Sequence, residues 1–258
     1  MRRLNDPVDF RSSASKFRAE EEASLKIRVD DIDNMFVLDQ EISNELLLQN
    51  FGYNEILTFN SRNYPDLSSN QKRFIGKLKR VIINNSAATI EANFEKLIDD
   101  MTLVLYENVG LDDGDRLTMG PCNIGLSIGD SVFATHADRE GRVDDTIVWL
   151  MCEDKHVRSL TYKHGEVQLI CSMIGGHQFN IDKNIPIYGI RVVADNFWFY
   201  RMVRPDRYIE EIYDGIPISE IHVQRYPNGG LKITDASQRR TIIQCLNAMR
   251  SDILSLNL

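Results

Sequence analysis

Cysteine is scarce: four residues in 258 (Cys122, Cys152, Cys171 and Cys245), none in a CxxC pair and none at zinc-ligand spacing. That argues against a disulfide scaffold and a structural zinc site, and fits a reducing, intracellular setting, the nucleus included. No run approaches the roughly 18 to 20 apolar residues that cross a bilayer. The opening MRRLNDPVDF has no apolar stretch behind its basic residues, so neither a membrane span nor a secretory leader is expected. Basic charge is in deficit, 30 Lys and Arg against 38 Asp and Glu, a net −8. This weighs against a protein that coats nucleic acid generally, while leaving room for a local basic stripe. No glycine-rich turn links the first strand to a helix, which excludes a Rossmann fold. What is present is a 43% hydrophobic, 26% charged chain, ordinary for a globular protein with a real core.

Residues 1 to about 30 read as a loose polar arm with one exposed helical turn in SKFRAEEEASLKIR. Val37, Leu38, Ile42, Leu46 and Leu47, at spacings of four and five, predict an amphipathic helix over 37–50. A soft boundary near residue 80 divides an N-terminal arm and helical accessory region (1–80) from a main domain (81–258). The accessory region is expected to serve in dimerisation or targeting, or to cover a sheet edge. In the main domain Phe94, Leu97, Ile98, Met101, Val104 and Leu105 predict a long helix over about 89–108, with Ser86 or Thr89 as its cap. SIGDSVFATH, the polar ADREGRVDD and TIVWLMCEDKH read as strand, loop and strand, an antiparallel hairpin. GEVQLICSMIGGHQFN predicts a helix over about 165–177, ended by Gly175-Gly176. Two more strands turn about Ala194-Asp195-Asn196, and ASQRRTIIQCLNAMRSDIL is a last helix. The order predicts an α/β sandwich with a central sheet flanked by helices.

TIVWLMCEDKH carries the chemistry. Its apolar residues occupy both faces, as in a central strand covered on both sides. At its end Glu153 and Lys155 share one face and Asp154 takes the other. A partly desolvated glutamate and lysine each need a partner, which a divalent cation and a phosphate would supply. A second acidic ligand is then required. Asp144 and Asp145 are adjacent in sequence, but at about 3.3 Å per residue Asp145 lies roughly 26 Å from Glu153 along an unbroken strand. Asp130 opens GDSVFAT and is the partner a hairpin with TIVWLMCEDKH would bring back.

Gly129-Asp130, a hairpin, then Glu153-Asp154-Lys155, with a helix before, a helix after and the strand YGIRVVA, resembles the PD-(D/E)xK nuclease superfamily over roughly residues 84–205. The Tyr-Gly-Ile-x-Val strand and the aromatic strand that follows also look like Crinkler-type nuclease domains of eukaryotic microbes. The resemblance implies a restriction-endonuclease-like αβββαβ core and a Mg²⁺- (or Mn²⁺-) dependent hydrolase. Its substrate would be nucleic acid, DNA before RNA. It implies Asp130, Glu153 and the backbone carbonyl of Asp154 as metal ligands, with Glu95 (or Glu91) added from the preceding helix. Lys155 would activate or orient water, and Gln168 would assist from the following helix. Glycine replaces proline before Asp130. Asp154 stands where an apolar residue is usual, so the back face there is expected to be wet or paired.

Blander readings apply to the same residues. Glu153 and Lys155 can be a surface ion pair, Asp144 and Asp145 a solvated loop, His136 and His156 packing or surface groups, and Gln168 a polar helix residue. Arg201, Arg204 and Arg207 can be a solvated face in place of a phosphate-facing stripe. A catalytically inactive, nuclease-derived module that binds nucleic acid or protein is the alternative function.

Overall fold

Every residue of the strand Ile147–Lys155 is buried, and the rest of the molecule is arranged about it. The computed structural model describes residues 10, 13, 16–17, 19–38, 41–85, 90–157 and 165–256. The strands are β1 (Ile27–Asp31), β2 (Leu117–Gly120), β3 (Gly125–Ile128), β4 (Ser131–Ala134), β5 (Arg139–Val143), β6 (Ile147–Lys155), β7 (Ile187–Val193), β8 (Asn196–Met202) and β9 (Ile221–Lys232). The helices are α1 (Ala19–Ser24), α2 (Tyr53–Thr58), α3 (Ser69–Asn84), α4 (Glu91–Val109), α5 (Glu166–Phe179), α6 (Asp206–Tyr213) and α7 (Ala236–Ser255). Seven strands form one mixed sheet, β1-β9-β8-β7-β6-β5-β2, and β3 pairs with β4 in a separate two-stranded sheet. The β6–α5–β7 crossover makes β6 and β7 parallel, whereas β5 and β6 are antiparallel. The expected α/β sandwich is therefore present. One face of the sheet packs under α3, α4 and α7, the other under α5, α6 and the β3–β4 hairpin. No helix among the described residues is long and apolar enough to cross a membrane.

The hairpin differs from its expected form. β6 pairs with Arg139–Val143, inside the stretch read as a loop, and the turn is Asp144-Asp145, with φ of 49° and 57°. Positive φ at both central residues is what a tight hairpin turn requires, and aspartate tolerates it better than most residues. SIGDSVFA folds on itself as β3 and β4, turning at Gly129-Asp130. The β5–β6 ladder shifts register once. Gly141 pairs with Leu150 and Arg142 with Val148, so Trp149 is the extra residue of a bulge.

Gly175-Gly176 does not end α5. Both lie inside the helix, where a Cβ on Gly175 would come 2.6 Å from the Gly125 carbonyl oxygen. The glycines let β3 and the sheet approach the helix from opposite sides. The true stop lies at Asn180, where Arg204 donates to the carbonyls of Asn180 (2.6 Å), Ile181 (2.6 Å) and Lys183 (3.1 Å). In the same turn His177 is fully buried; its Nε2–H points to the Met202 carbonyl at 3.3 Å and its Nδ1 accepts nothing. Burial pushes its pKa from 6.5 down to about 4. The unfolded chain binds that proton below pH 6.5 and the folded one only near pH 4, so stability falls as pH drops through this window. The loss is about 3 kcal/mol. His177→Gln should flatten the dependence of the urea midpoint on pH between 4 and 6.5.

The N-terminal third departs most from expectation. In 37–50 the only helical turn among the described residues is a 3₁₀ turn at Glu45–Leu47, capped by Asn44. Leu38 and Ile42 instead pack flat on the core with Met35 and Phe36. The arm is anchored: Phe17 and Leu25 are buried, and β1 adds to the sheet edge in parallel with β9. α3 runs through position 80, and its Phe74, Ile75, Leu78 and Val81 join the same apolar cluster as α4 and the sheet. Arg239 of α7, fully buried, donates to the carbonyls of Leu47 (2.9 Å), Leu48 (2.8 Å), Phe51 (2.7 Å) and Ile233 (2.9 Å). Ser86 and Thr89, the expected caps of α4, lie outside the described residues.

Candidate active site

At the C-terminal end of β6, Glu153 and Lys155 point to the α5 face. Gly165, the residue just before α5, packs on both: a Cβ there would lie 2.8 Å from Lys155 Cγ and 3.2 Å from Glu153 Cγ. Its φ of +87° is a conformation that glycine adopts without strain. Glu153 is wholly buried and in ion-pair contact with the Lys155 ammonium through Oε1, but neither of its carboxylate oxygens accepts a well-formed hydrogen bond. Glu95, from the first turns of α4, lies 3.7 Å from the same ammonium.

The third carboxylate is Asp138, immediately before β5. Its backbone N–H donates to the Cys152 carbonyl at 3.0 Å, and its Oδ2 accepts the Asp154 N–H at 2.6 Å. Asp130 is not brought to this place. It is exposed in the β3–β4 turn, and the neighbouring Ser127 exchanges two hydrogen bonds with Gln178, near the far end of α5 from Gly165. Fourteen helical residues at 1.5 Å each put about 20 Å between those ends. Asp144 and Asp145 form the turn at the other pole of the hairpin, and Asp145 accepts from Thr118.

Gln168, in the first turns of α5, donates to the His136 carbonyl at 2.6 Å and so ties the helix to the segment leading into Asp138. His156 is buried edge-on against Phe94, with ring centroids 5.0 Å apart. Asp154 faces α4, 2% exposed. Its Oδ2 is 3.5 Å from Thr102 Oγ1, its Oδ1 has no partner, and the Asp99–Arg139 pair (2.5 and 2.9 Å) lies alongside. The back face is thus buried, with Thr102 as the near polar group. The arginines 201, 204 and 207 form no stripe here: Arg204 caps α5, Arg207 pairs with Glu211, and Arg201 lines a hollow with Tyr188 on the other face of the sheet.

The electrostatics follow from three carboxylates about one ammonium. Burial raises the Glu153 pKa well above the usual carboxylate range, and the charges of Asp138 and Glu95 push it further while Lys155 opposes. Burial likewise raises Asp138 and Glu95. Asp154 is raised by burial, then by Asp138 and Asp99. Burial works against the Lys155 charge, yet Glu153, Glu95 and Asp138 more than offset it and hold its pKa above 10.5. Beside Glu95 and Asp138 lies a hollow of about 500 Å³, also lined by Lys96, Asp99 and Arg139.

Among the described residues no three or more His, Cys, Asp and Glu side chains form a ready ligand cage. The donor chemistry nonetheless suits a hard cation. All donors are oxygens, their negative charge exceeds that of Lys155, and Glu153 Oε2 is buried without a donor. Sequence reasoning missed Asp138. Its signal was the Asp144-Asp145 pair, about which residue 138 falls opposite the Glu153 end. No protein-family model matches the chain, and no curated protein is significantly similar to it.

Proposed function

We propose that the protein is a divalent-metal-dependent nuclease hydrolysing phosphodiester bonds of DNA, and less readily RNA, in an intracellular setting. Its core would be α4, β2, β5, β6, α5 and β7, the αβββαβ order of the PD-(D/E)xK superfamily, with the β3–β4 hairpin as an insertion. The observation that carries this reading is the convergence of Glu95, Asp138, Glu153 and Lys155 at the end of one buried strand. Asp138 takes the role first sought at Asp130.

Asp138, Glu153 and the Asp154 carbonyl would hold Mg²⁺ or Mn²⁺, with Glu95 as a further ligand. The ion would supply Lewis acidity at the scissile phosphate and lower the pKa of an attacking water. The chain's own groups do the rest. Lys155, kept charged by its carboxylates, stabilises charge developing on the phosphate and orients the water. Gln168 fixes the segment that carries Asp138. Arg139, fixed by Asp99, lines the approach for an anionic substrate.

A nuclease-derived binding module is favoured by one observation, the internal Lys155–Glu153 pair in place of a ready cage. Titrating Mg²⁺ and Mn²⁺ against plasmid and single-stranded substrates separates the two. Metal-dependent cleavage lost in Glu153→Ala supports the enzyme; binding without cleavage supports the module. For the enzyme, metal at 100 times its Kd should stabilise the fold by about 2.7 kcal/mol, read as a melting shift absent in Glu153→Ala. The affinity should climb with pH above 4.5, because burial makes Glu153, Asp138 and Glu95 hold their protons longer. No melting shift at any pH would sink the metal assignment.

A further inference from the structure

The N-terminal strand reaches the candidate site through two side chains. Asp31, the last residue of β1, stands in register with Arg225 of β9 and grips its guanidinium at two points, Nε to Oδ1 at 2.7 Å and Nη2 to Oδ2 at 3.0 Å. The remaining edge of the guanidinium points inward. Arg225 Nη1 donates to Glu166 Oε1 at 2.7 Å, and the same oxygen accepts the Tyr200 hydroxyl, also at 2.7 Å. Glu166 is 2% exposed and Tyr200 fully buried. Glu166 is the first residue of α5, and Gly165 just before it rests on the stems of Lys155 and Glu153. A displacement of Glu166 therefore moves the residue that sets where the Lys155 stem lies.

We infer that Arg225, oriented by Asp31, is a positioning residue for Lys155, acting through Glu166 and Gly165. This rests on the nuclease reading of the site and extends it. Strand β1, part of a region expected to be a loose arm, completes the active centre instead of merely extending the sheet. The fork geometry of arginine matters here, because two carboxylates on different elements are bridged by one planar group.

The test uses the full chain with Arg225→Gln and, as a milder change at the sheet edge, Asp31→Asn. Two signals are followed: steady-state cleavage with Mg²⁺, and the Cε–Hε resonance of Lys155, assigned by its loss in Lys155→Arg. The expected result is a fall in kcat of about tenfold or more for Arg225→Gln, typical of removing a group behind a metal site, with KM unchanged. Asp31→Asn should give a smaller fall. In both variants the chemical shift of the Lys155 resonance should change at fixed pH, as the stem moves relative to Gly165. A Lys155 resonance that does not move in either variant overturns the inference, even where kcat or the melting temperature drops. If the wild type cleaves nothing with Mg²⁺ or Mn²⁺, the nuclease reading fails and the Lys155 resonance alone decides the coupling. Should Arg225→Gln not fold, Asp31→Asn carries the same test.

Discussion

Asp138→Ala should lower metal-dependent cleavage by about 10²–10³-fold, the scale of removing one group that stabilises transition-state charge, while Asp130→Ala leaves the rate unchanged. The contrast is sharp because the two aspartates serve different hairpins. Asp138 bonds the Asp154 N–H and contributes to the fields at both Glu153 and Lys155. Asp130 sits exposed at a turn near the opposite end of α5. Asp138→Ala removes a half-buried negative charge from a crowded site but leaves the Asp154 N–H without its acceptor, at a cost of about 1–3 kcal/mol, so the variant should fold with a modest drop in melting temperature. A cleavage rate that survives Asp138→Ala, or one that collapses in Asp130→Ala, would place the chemistry elsewhere.

Arg239→Met should cost about 3–5 kcal/mol of folding stability, the range seen when a buried charged group is removed from its partners. That is a large share of the roughly 5–15 kcal/mol available to a typical domain. Four backbone carbonyls take their hydrogen bonds from this one side chain, three of them in residues 47–51. Burial pulls the guanidinium pKa down to about 10, still far above neutral, so the group is charged and its cost is met by those carbonyls. Methionine fills much of the volume and leaves the carbonyls without donors. The urea midpoint should fall accordingly, and amide exchange should speed first in the segment from Leu46 to Phe51. A change under 1 kcal/mol would mean that water replaces the guanidinium without penalty.

Much of this was legible in the residues, and the exceptions have physical causes. The central strand, the shared face of Glu153 and Lys155 and the β7–β8 pair all follow from apolar runs and alternation, whereas Glu95 came only with the family resemblance. β5 was hidden because Arg139, Glu140 and Arg142 look like a solvated loop; in the fold Arg139 pairs with Asp99, and Glu140 with Arg142. Its turn, Asp-Asp, lacks the glycine that marks most tight hairpins. The Gly129-Asp130 turn carries that mark, but it belongs to the separate β3–β4 hairpin, near the opposite end of α5 from Gly165. In 37–50 a short helical pattern yielded to tertiary contacts, as weak local preferences do. β1 is a five-residue edge strand, and neither its length nor its charge distinguished it from a tail.

The bulge at Trp149 bears on how such a site can change over evolution. Alternation makes a strand a binary counter, and one uncounted residue inverts every digit after it. Trp149 and Leu150, adjacent in sequence, accordingly lie in the same apolar cluster, while Val148 and Met151 belong to the opposite one. Counted from the turn without that extra residue, Glu153 and Lys155 would face α4, and Asp154 would occupy the side now open to Gly165. Which of Glu153 and Asp154 faces α5 thus differs by parity alone, and the parity is set by Trp149, four residues upstream of Glu153.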